Sequence, residues 1–213
     1  VVHVKICGVT NVDDAMLCVE AGASAIGVNL VPASPRCVEP RRARSITRAV
    51  KSSALVVAVV ADLDSAAIRE LVAYIGCGCV QLHGNETPET LLPLLPHAYK
   101  AVRIATVDDV TAARCYPGEF LLVDAKVPGV LGGSGIPFDW SLVRALSEER
   151  KILVAGGLTP ENVGDAIRAV RPHSVDVASG VERDREPRAK DPDKVRAFID
   201  RAHAAARAAL SGA

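Results

Sequence analysis

Cys7 closes the run HVKICG beside a glycine, and Asp124 sits near the end of the run FLLVDA. A thiol and a carboxyl are a pair suited to proton transfer, one group taking a proton while the other delivers one. Six more apolar runs end in groups of comparable interest: Asn29, Asp62, His83, Arg103, the pair Gly156 and Gly157, and the pair Ser179 and Gly180. The two glycine-bearing ends suit an anion. Glycine lets backbone N–H groups approach a phosphate, and a helix N-terminus adds a favourable dipole. The segment KVPGVLGGSGIPFDW, residues 126–140, is long for a strand-to-helix connection, and its core of Gly132, Gly133, Ser134 and Gly135 brings more N–H donors. It reads as a lid or a second phosphate contact. A free thiol has a pKa near about 8.5, so a base at position 7 needs a site that lowers this value or a substrate that carries positive charge.

Short β-branched runs must position these groups. Eight recur along the chain: HVKICG, AIGVNL, LVVAVVA, CVQLHG, YKAVRIA, FLLVDA, KILVAGG and SVDVASG. Helical stretches lie between them, with start signals at Asn11, Asp64, Thr87-Pro88-Glu89, Asp108, Asp139 and Thr159-Pro160-Glu161. Strands that alternate with helices imply right-handed parallel crossovers, and eight such units close into a barrel. The expected fold class is α/β, a single (β/α)8 TIM barrel formed as one domain over residues 1–213. An open doubly wound sheet is the rival architecture, but no G-x-G-x-x-G follows the first run. In a barrel the chemistry belongs to the C-terminal ends of the strands, and the strand interiors fill space. The charged stretch RDREPRAKDPDKVRAF, residues 183–198, reads as a solvated loop before a last helix, which the alanine-rich tail extends.

Composition narrows the partners. Acidic and basic residues balance at 25 each with no basic block, so the field that nucleic-acid binders use is missing. Hydrophobic residues make up 49% and aromatic ones only 3%, which points to a core of Val, Ala, Leu and Ile, as in buried parallel sheet. No apolar run approaches the roughly 20 residues of a membrane helix, so no membrane partner is expected. The six cysteines, with no visible leader peptide, read as reduced thiols in a cytoplasm. Cys77 and Cys79 form a C-x-C pair without a second ligand pair at a recognisable spacing, so no metal is expected.

Six separated segments carry a resemblance: VKICGVT, SPR at 34–36, VQLHG, LLVDAKVPGVLGGSGIPFDW, VAGGLTPENV and VDVASGVE. In order and over almost the full chain they resemble phosphoribosylanthranilate isomerase, an enzyme of tryptophan biosynthesis. The resemblance implies an Amadori rearrangement of N-(5-phosphoribosyl)anthranilate to the carboxyphenylamino-deoxyribulose phosphate, without cofactor. It makes Cys7 the general base and Asp124 the general acid. Arg36 falls on the contact to the anthranilate carboxylate, and the turns at Gly156, Gly157, Ser179 and Gly180 fall on the phosphate. The partner is then a phosphorylated small molecule, and the enzyme a monomer or homodimer.

The chain departs from the family twice. VNLVPASPR lacks the usual aromatic after the second strand, which implies different packing on the anthranilate side. EPRAKD carries Arg188 where the family has glycine, which questions the loop shape after the eighth strand.

Blander readings stand beside these. Free cysteine is among the most buried residue types, so Cys7 on its own reads as a strand residue. Asp124 is a candidate to cap a turn or pair with Lys126. His83 either steadies the barrel mouth by hydrogen bonding or lines the pocket, and Asp176 is either a buried hydrogen-bonding residue or part of the phosphate turn. The remaining cysteines read as structural, and the arginines of EPRRARS as a solvated helix face. Two rival functions are a ring-opening isomerase of the histidine pathway, whose sites typically use two aspartates, and a catalytically silent phosphosugar-binding paralogue.

Overall fold

The computed structural model describes residues 1–124 and 140–211. Eight parallel strands, β1 (His3–Ile6), β2 (Ala25–Asn29), β3 (Leu55–Val60), β4 (Cys79–Leu82), β5 (Ala98–Arg103), β6 (Phe120–Asp124), β7 (Lys151–Ala155) and β8 (Ser174–Val177), form a closed barrel in chain order. Closure is made by β8 against β1, with Lys5 opposite Asp176 and Ile6 opposite Val177. All eight runs read from the sequence are strands, and the closed order excludes the open doubly wound sheet.

Helices α1 (Val12–Glu20), α2 (Pro40–Val50), α3 (Ser65–Ile75), α4 (Pro88–Leu91), α5 (Val107–Arg114), α6 (Trp140–Glu149), α7 (Val163–Val170) and α8 (Pro192–Ser211) follow the strands in turn. Local chemistry starts several of them as expected. The Asn11 side chain accepts from the Asp14 amide, the Asp64 carboxylate accepts from the amides of Ala66 and Ala67, and Pro88 opens α4 after Thr87. Two starts differ. The α5 cap is Thr106, which shares a reciprocal capping box with Asp109, so Asp108 lies inside the first turn. Helix α7 begins after Asn162. That side chain accepts from the Thr159 amide and donates to the Gly157 carbonyl, which folds Thr159-Pro160-Glu161 into a turn before the helix. Asp139 lies outside the described residues.

Two layers of apolar side chains hold the barrel. The outer layer packs strand residues such as Ile6, Ile26 and Val28 against Ala15, Ile46 and Phe198 of the helices, all fully buried. Inside, Val57, Tyr99, Ala101, Leu122 and Leu153 form a separate apolar cluster. β3 is buried on both faces from Val56 to Val60, which explains an unbroken Val-Ala run with no alternation. All six cysteines are free thiols.

The stretch after β8 corrects the expected solvated loop. A short 3-10 turn (Ser179–Val181) leads into an antiparallel hairpin of β9 (Glu182–Arg183) and β10 (Glu186–Lys190), which folds back so that Glu182 and Lys190 are buried. Arg188 takes φ of 124°, in the region that favours glycine, and its carbonyl accepts from the Thr10 hydroxyl. The hairpin is tied to the loop after β1 even though glycine is missing there. Residues 192–211 then continue as one helix, as the alanine-rich tail suggests.

Candidate active site

The C-terminal end of the barrel opens into a cavity of about 490 Å³. Cys7 after β1, Arg36 from the loop after β2, His83 after β4 and Asp124 at the end of β6 all line it. So do Gly156 and Gly157 after β7 and Ser179 after β8. These expected residues therefore share one mouth. Gly180 is placed behind that wall. A Cβ on Gly180 would lie 1.9 Å from the Leu158 carbonyl oxygen, so glycine is what lets the turns after β7 and β8 meet. The segment Gly132, Gly133, Ser134 and Gly135 lies outside the described residues, as does Lys126. A second cavity of about 570 Å³ meets the first at His83, Arg103 and Asp124. It contains neither Cys7 nor the glycine turns, so the candidate chemistry belongs to the first.

Polar side chains that the strand-end reading passed over lie beneath Cys7. Strand interiors were expected to be filler. Instead Lys5, two residues before Cys7 on the same face of β1, is buried inside the barrel, with Nζ 2.7 Å from Asp176 Oδ2 and 2.9 Å from Gln81 Oε1. The Tyr99 hydroxyl donates to the same Gln81 oxygen at 3.1 Å. Asp176 is thus a buried hydrogen-bonding residue that also lines the cavity, and its Oδ1 is buried without a partner among the described residues. Three polar residues centred in apolar strands, in VKI, VQL and VDV, were the available signal.

This network also orients His83. Two donors meet the Gln81 oxygen, so its amide nitrogen faces His83 Nδ1 at 2.7 Å and must donate to it. The ring proton is then on Nε2 and the imidazole is neutral. Burial pushes the His83 pKa below its ordinary value, with Asp124 opposing, in agreement with that assignment. Both alternatives for His83 hold at once: it is hydrogen-bonded at the mouth and it lines the cavity.

Arg36 is not a free cation. Its Nε and Nη2 grip the two oxygens of Glu182, the latter at 2.7 Å, while Lys190 Nζ stands 3.3 Å from Glu182 Oε1 and donates to the Ala178 carbonyl. The bond to Glu182 raises the Arg36 pKa. Burial alone would raise that of Glu182, but Arg36 and Lys190 outweigh it and hold the carboxyl below its usual range. A guanidinium has five N–H donors, and this clamp uses two of them, so the others are available to a carboxylate in the cavity. Where the family's aromatic is missing, Asn29, Val31, Ala33 and Ser34 line the wall.

Cys7 is half-buried at this mouth. Burial pushes its thiol pKa up, and the ammonium of Lys5, together with that of Lys190, pulls it partly back. The resting group is therefore a thiol, with two cations near it.

A family model described as N-(5'-phosphoribosyl)anthranilate (PRA) isomerase matches residues 4–201. The chain belongs to this family. The N-(5'-phosphoribosyl)anthranilate isomerase of Myxococcus xanthus is 44% identical over 203 residues, covering 93% of this chain and 94% of the relative. The crystal structure of phosphoribosyl anthranilate isomerase from Thermotoga maritima superposes with a TM-score of 0.83 at 37% identity, covering 96% of this chain and 100% of that one. A further structure of a phosphoribosyl anthranilate isomerase, in complex with reduced 1-(o-carboxyphenylamino)-1-deoxyribulose 5-phosphate, superposes with a TM-score of 0.82 at 34% identity, covering 96% of this chain and 100% of that one. As a phosphoribosylanthranilate isomerase by family, the chain is an isomerase of tryptophan biosynthesis. Among the described residues, no helix is long and apolar enough to cross a membrane.

Proposed function

We propose that this isomerase converts N-(5'-phosphoribosyl)anthranilate to 1-(2-carboxyphenylamino)-1-deoxyribulose 5-phosphate with Cys7 as general base and Asp124 as general acid, and without a cofactor. The observation that carries the reading is that both side chains line one cavity, which the glycine turns after β7 and β8 also line. Asp124 delivers a proton to the furanose ring oxygen, and the C1–O bond breaks as the amine nitrogen forms a C=N bond, giving an iminium. The positive charge acidifies the proton on C2. Cys7 takes that proton, and the electron pair of the C–H bond moves to C1–C2 while the iminium nitrogen recovers its lone pair. The resulting enolamine tautomerises to the ketone, so no bond forms between sulfur and carbon. Because the resting Cys7 is a thiol, its own proton must first pass to solvent, and the positive charge of the iminium favours the thiolate that then accepts the C2 proton.

In this reading the phosphate lies against the turns at Gly156, Gly157 and Ser179, with Gly180 holding the two turns together. Arg36 takes the anthranilate carboxylate with the N–H groups that Glu182 leaves open, and His83 offers Nε2–H to the substrate. The working enzyme is taken as a single barrel domain, monomer or homodimer, acting in the cytoplasm, with its state to be sized by sedimentation. The test of function is conversion of the substrate by purified protein, followed as loss of substrate fluorescence, together with rescue of a tryptophan auxotroph that lacks this isomerase. Absence of both conversion and rescue would reject the assignment, and tight binding of phosphate analogues without turnover would mark a silent paralogue instead.

A further inference from the structure

Two charged residues inside the barrel have no part in the proton transfers just described. Lys5 is fully buried and bound to Asp176 at 2.7 Å, in a position where a neutral side chain would fill the same space without desolvating a charge. Its stem runs directly under the thiol. A Cβ built on Gly27 of the neighbouring strand would lie 2.7 Å from Cys7 Sγ and 3.1 Å from Lys5 Cε, so sulfur and ammonium stem crowd one point. Asp176 meets Lys5 through Oδ2 alone, and its Oδ1 has no hydrogen-bond partner among the described residues.

We propose that Lys5 is a positioning residue that acts through Cys7: its ammonium is shared between Asp176 and the thiolate that forms at Cys7, and Asp176 sets how much of that charge the sulfur receives. This rests on the reading of Cys7 as the base. Lys5 does not exchange a proton with substrate. It stays an ammonium because, although burial works against the charge, Asp176, Cys7 and Tyr99 together hold it well above its ordinary range. The charged and titratable groups that face the thiol are Lys5 on β1, Asp176 on β8, Lys190 on β10, Arg36 in the loop after β2 and the Tyr99 hydroxyl on β5. Lys190 and Arg36 are each engaged by Glu182, which leaves Lys5 as the cation beneath the sulfur whose single anionic partner among the described residues is Asp176.

The two members of the pair therefore act on Cys7 in opposite directions. Asp176→Asn frees more of the Lys5 charge and stabilises the thiolate. Lys5→Met, made in the Asp176→Asn background so that no carboxylate is stranded in the barrel, removes that charge. Neither substitution touches the Tyr99 hydroxyl that donates to Gln81, so the support of His83 is expected to persist.

The experiment is the rate of iodoacetamide alkylation at Cys7, identified by peptide mass spectrometry, from pH 6 to 10, alongside kcat/KM over the same range. Asp176→Asn is expected to alkylate about tenfold faster than the parent at neutral pH, and adding Lys5→Met to slow it by about tenfold or more relative to Asp176→Asn alone. Alkylation within twofold in all three proteins, or Asp176→Asn changing it in the slowing direction, overturns the proposal. Alkylation that responds as expected while the pH profile of kcat/KM does not follow keeps the electrostatic coupling and rejects Cys7 as the base, so the two failures are distinct. Circular dichroism of each variant separates these outcomes from a fold that is lost.

Discussion

The two halves of the mouth are built on opposite plans. Around Cys7, on the β1 and β8 side, charges are dense and almost all paired: Lys5 with Asp176, Arg36 with Glu182, Lys190 with Glu182. Around Asp124, on the β5 and β6 side, neither the Asp124 side chain nor that of Arg103, its partner in register, has a hydrogen bond or ion pair among the described residues. The difference suits the roles proposed for the two groups. A thiol pushed toward its neutral form by burial needs fixed cations to become a base, and fixed cations inside a barrel need their own anions. A carboxyl that must hand over a proton and take it back needs access to the reacting atom more than it needs partners.

The sharpest break of this comparison is chemical. Cys7→Ser and Asp124→Asn are each expected to lower kcat by about a hundredfold to ten-thousandfold, the usual worth of a positioned acid or base. Steady-state kinetics on the fluorescent substrate checks this, and near-parental rates in both variants would remove the acid-base pair from the account. The second break concerns stability. Lys5→Met alone leaves the buried Asp176 without its cation and is expected to destabilise the fold by about 3–5 kcal/mol, read from the urea midpoint. An effect under about 1 kcal/mol would mean that water or neighbouring groups solvate Asp176 well, and the paired half of the mouth would lose its structural argument.

What the sequence revealed follows the same division. Residues at strand ends are legible because the barrel topology assigns them a place before any side chain is known, and Cys7, His83, Asp124 and the glycine turns were read in that way. Residues within strands are harder, because a lysine between two apolar neighbours has no face until the barrel closes. Lys5, Gln81 and Asp176 converge from strands 76 and 171 residues from Lys5 along the chain. Glu182 and Lys190 were hidden for another reason. They sit in a stretch so rich in charge that burial of any one member is invisible to composition, and only the hairpin of β9 and β10 selects which of them turn inward. The loop shape that Arg188 puts in question in the sequence is resolved by the backbone, which takes a positive φ there with the Arg188 carbonyl held by Thr10.

A third prediction sharpens the role of the paired side by titration. The Glu182 carboxyl is held below its ordinary range by Arg36 and Lys190 against the effect of burial. Its stabilisation is therefore complete above the unfolded glutamate value of about 4.3 and is lost as pH falls through the lower folded value. Glu182→Gln is expected to cost about 2 kcal/mol at neutral pH, with the gap from the parent closing as urea unfolding is repeated toward pH 3. The same substitution loosens the guanidinium that is proposed to receive the anthranilate carboxylate, so KM is expected to rise about tenfold with kcat changed far less. A gap that stays constant across the acid range would show that the carboxylate charge is not what holds Arg36.

The smallest expected effect tests the sparse side. Arg103 is exposed, lines both cavities and has no side-chain partner among the described residues, so Arg103→Met breaks no bond among them. Unfolding free energy is expected to move by less than about 0.5 kcal/mol, the usual range for a surface change away from any special feature. The contrast with Lys5→Met, the same replacement on the opposite side of the mouth, isolates burial and pairing from the loss of a positive charge as such. A cost at Arg103 comparable to that at Lys5 would mean the β5 and β6 side is held by charge after all, and the contrast between the two halves of the mouth would fail.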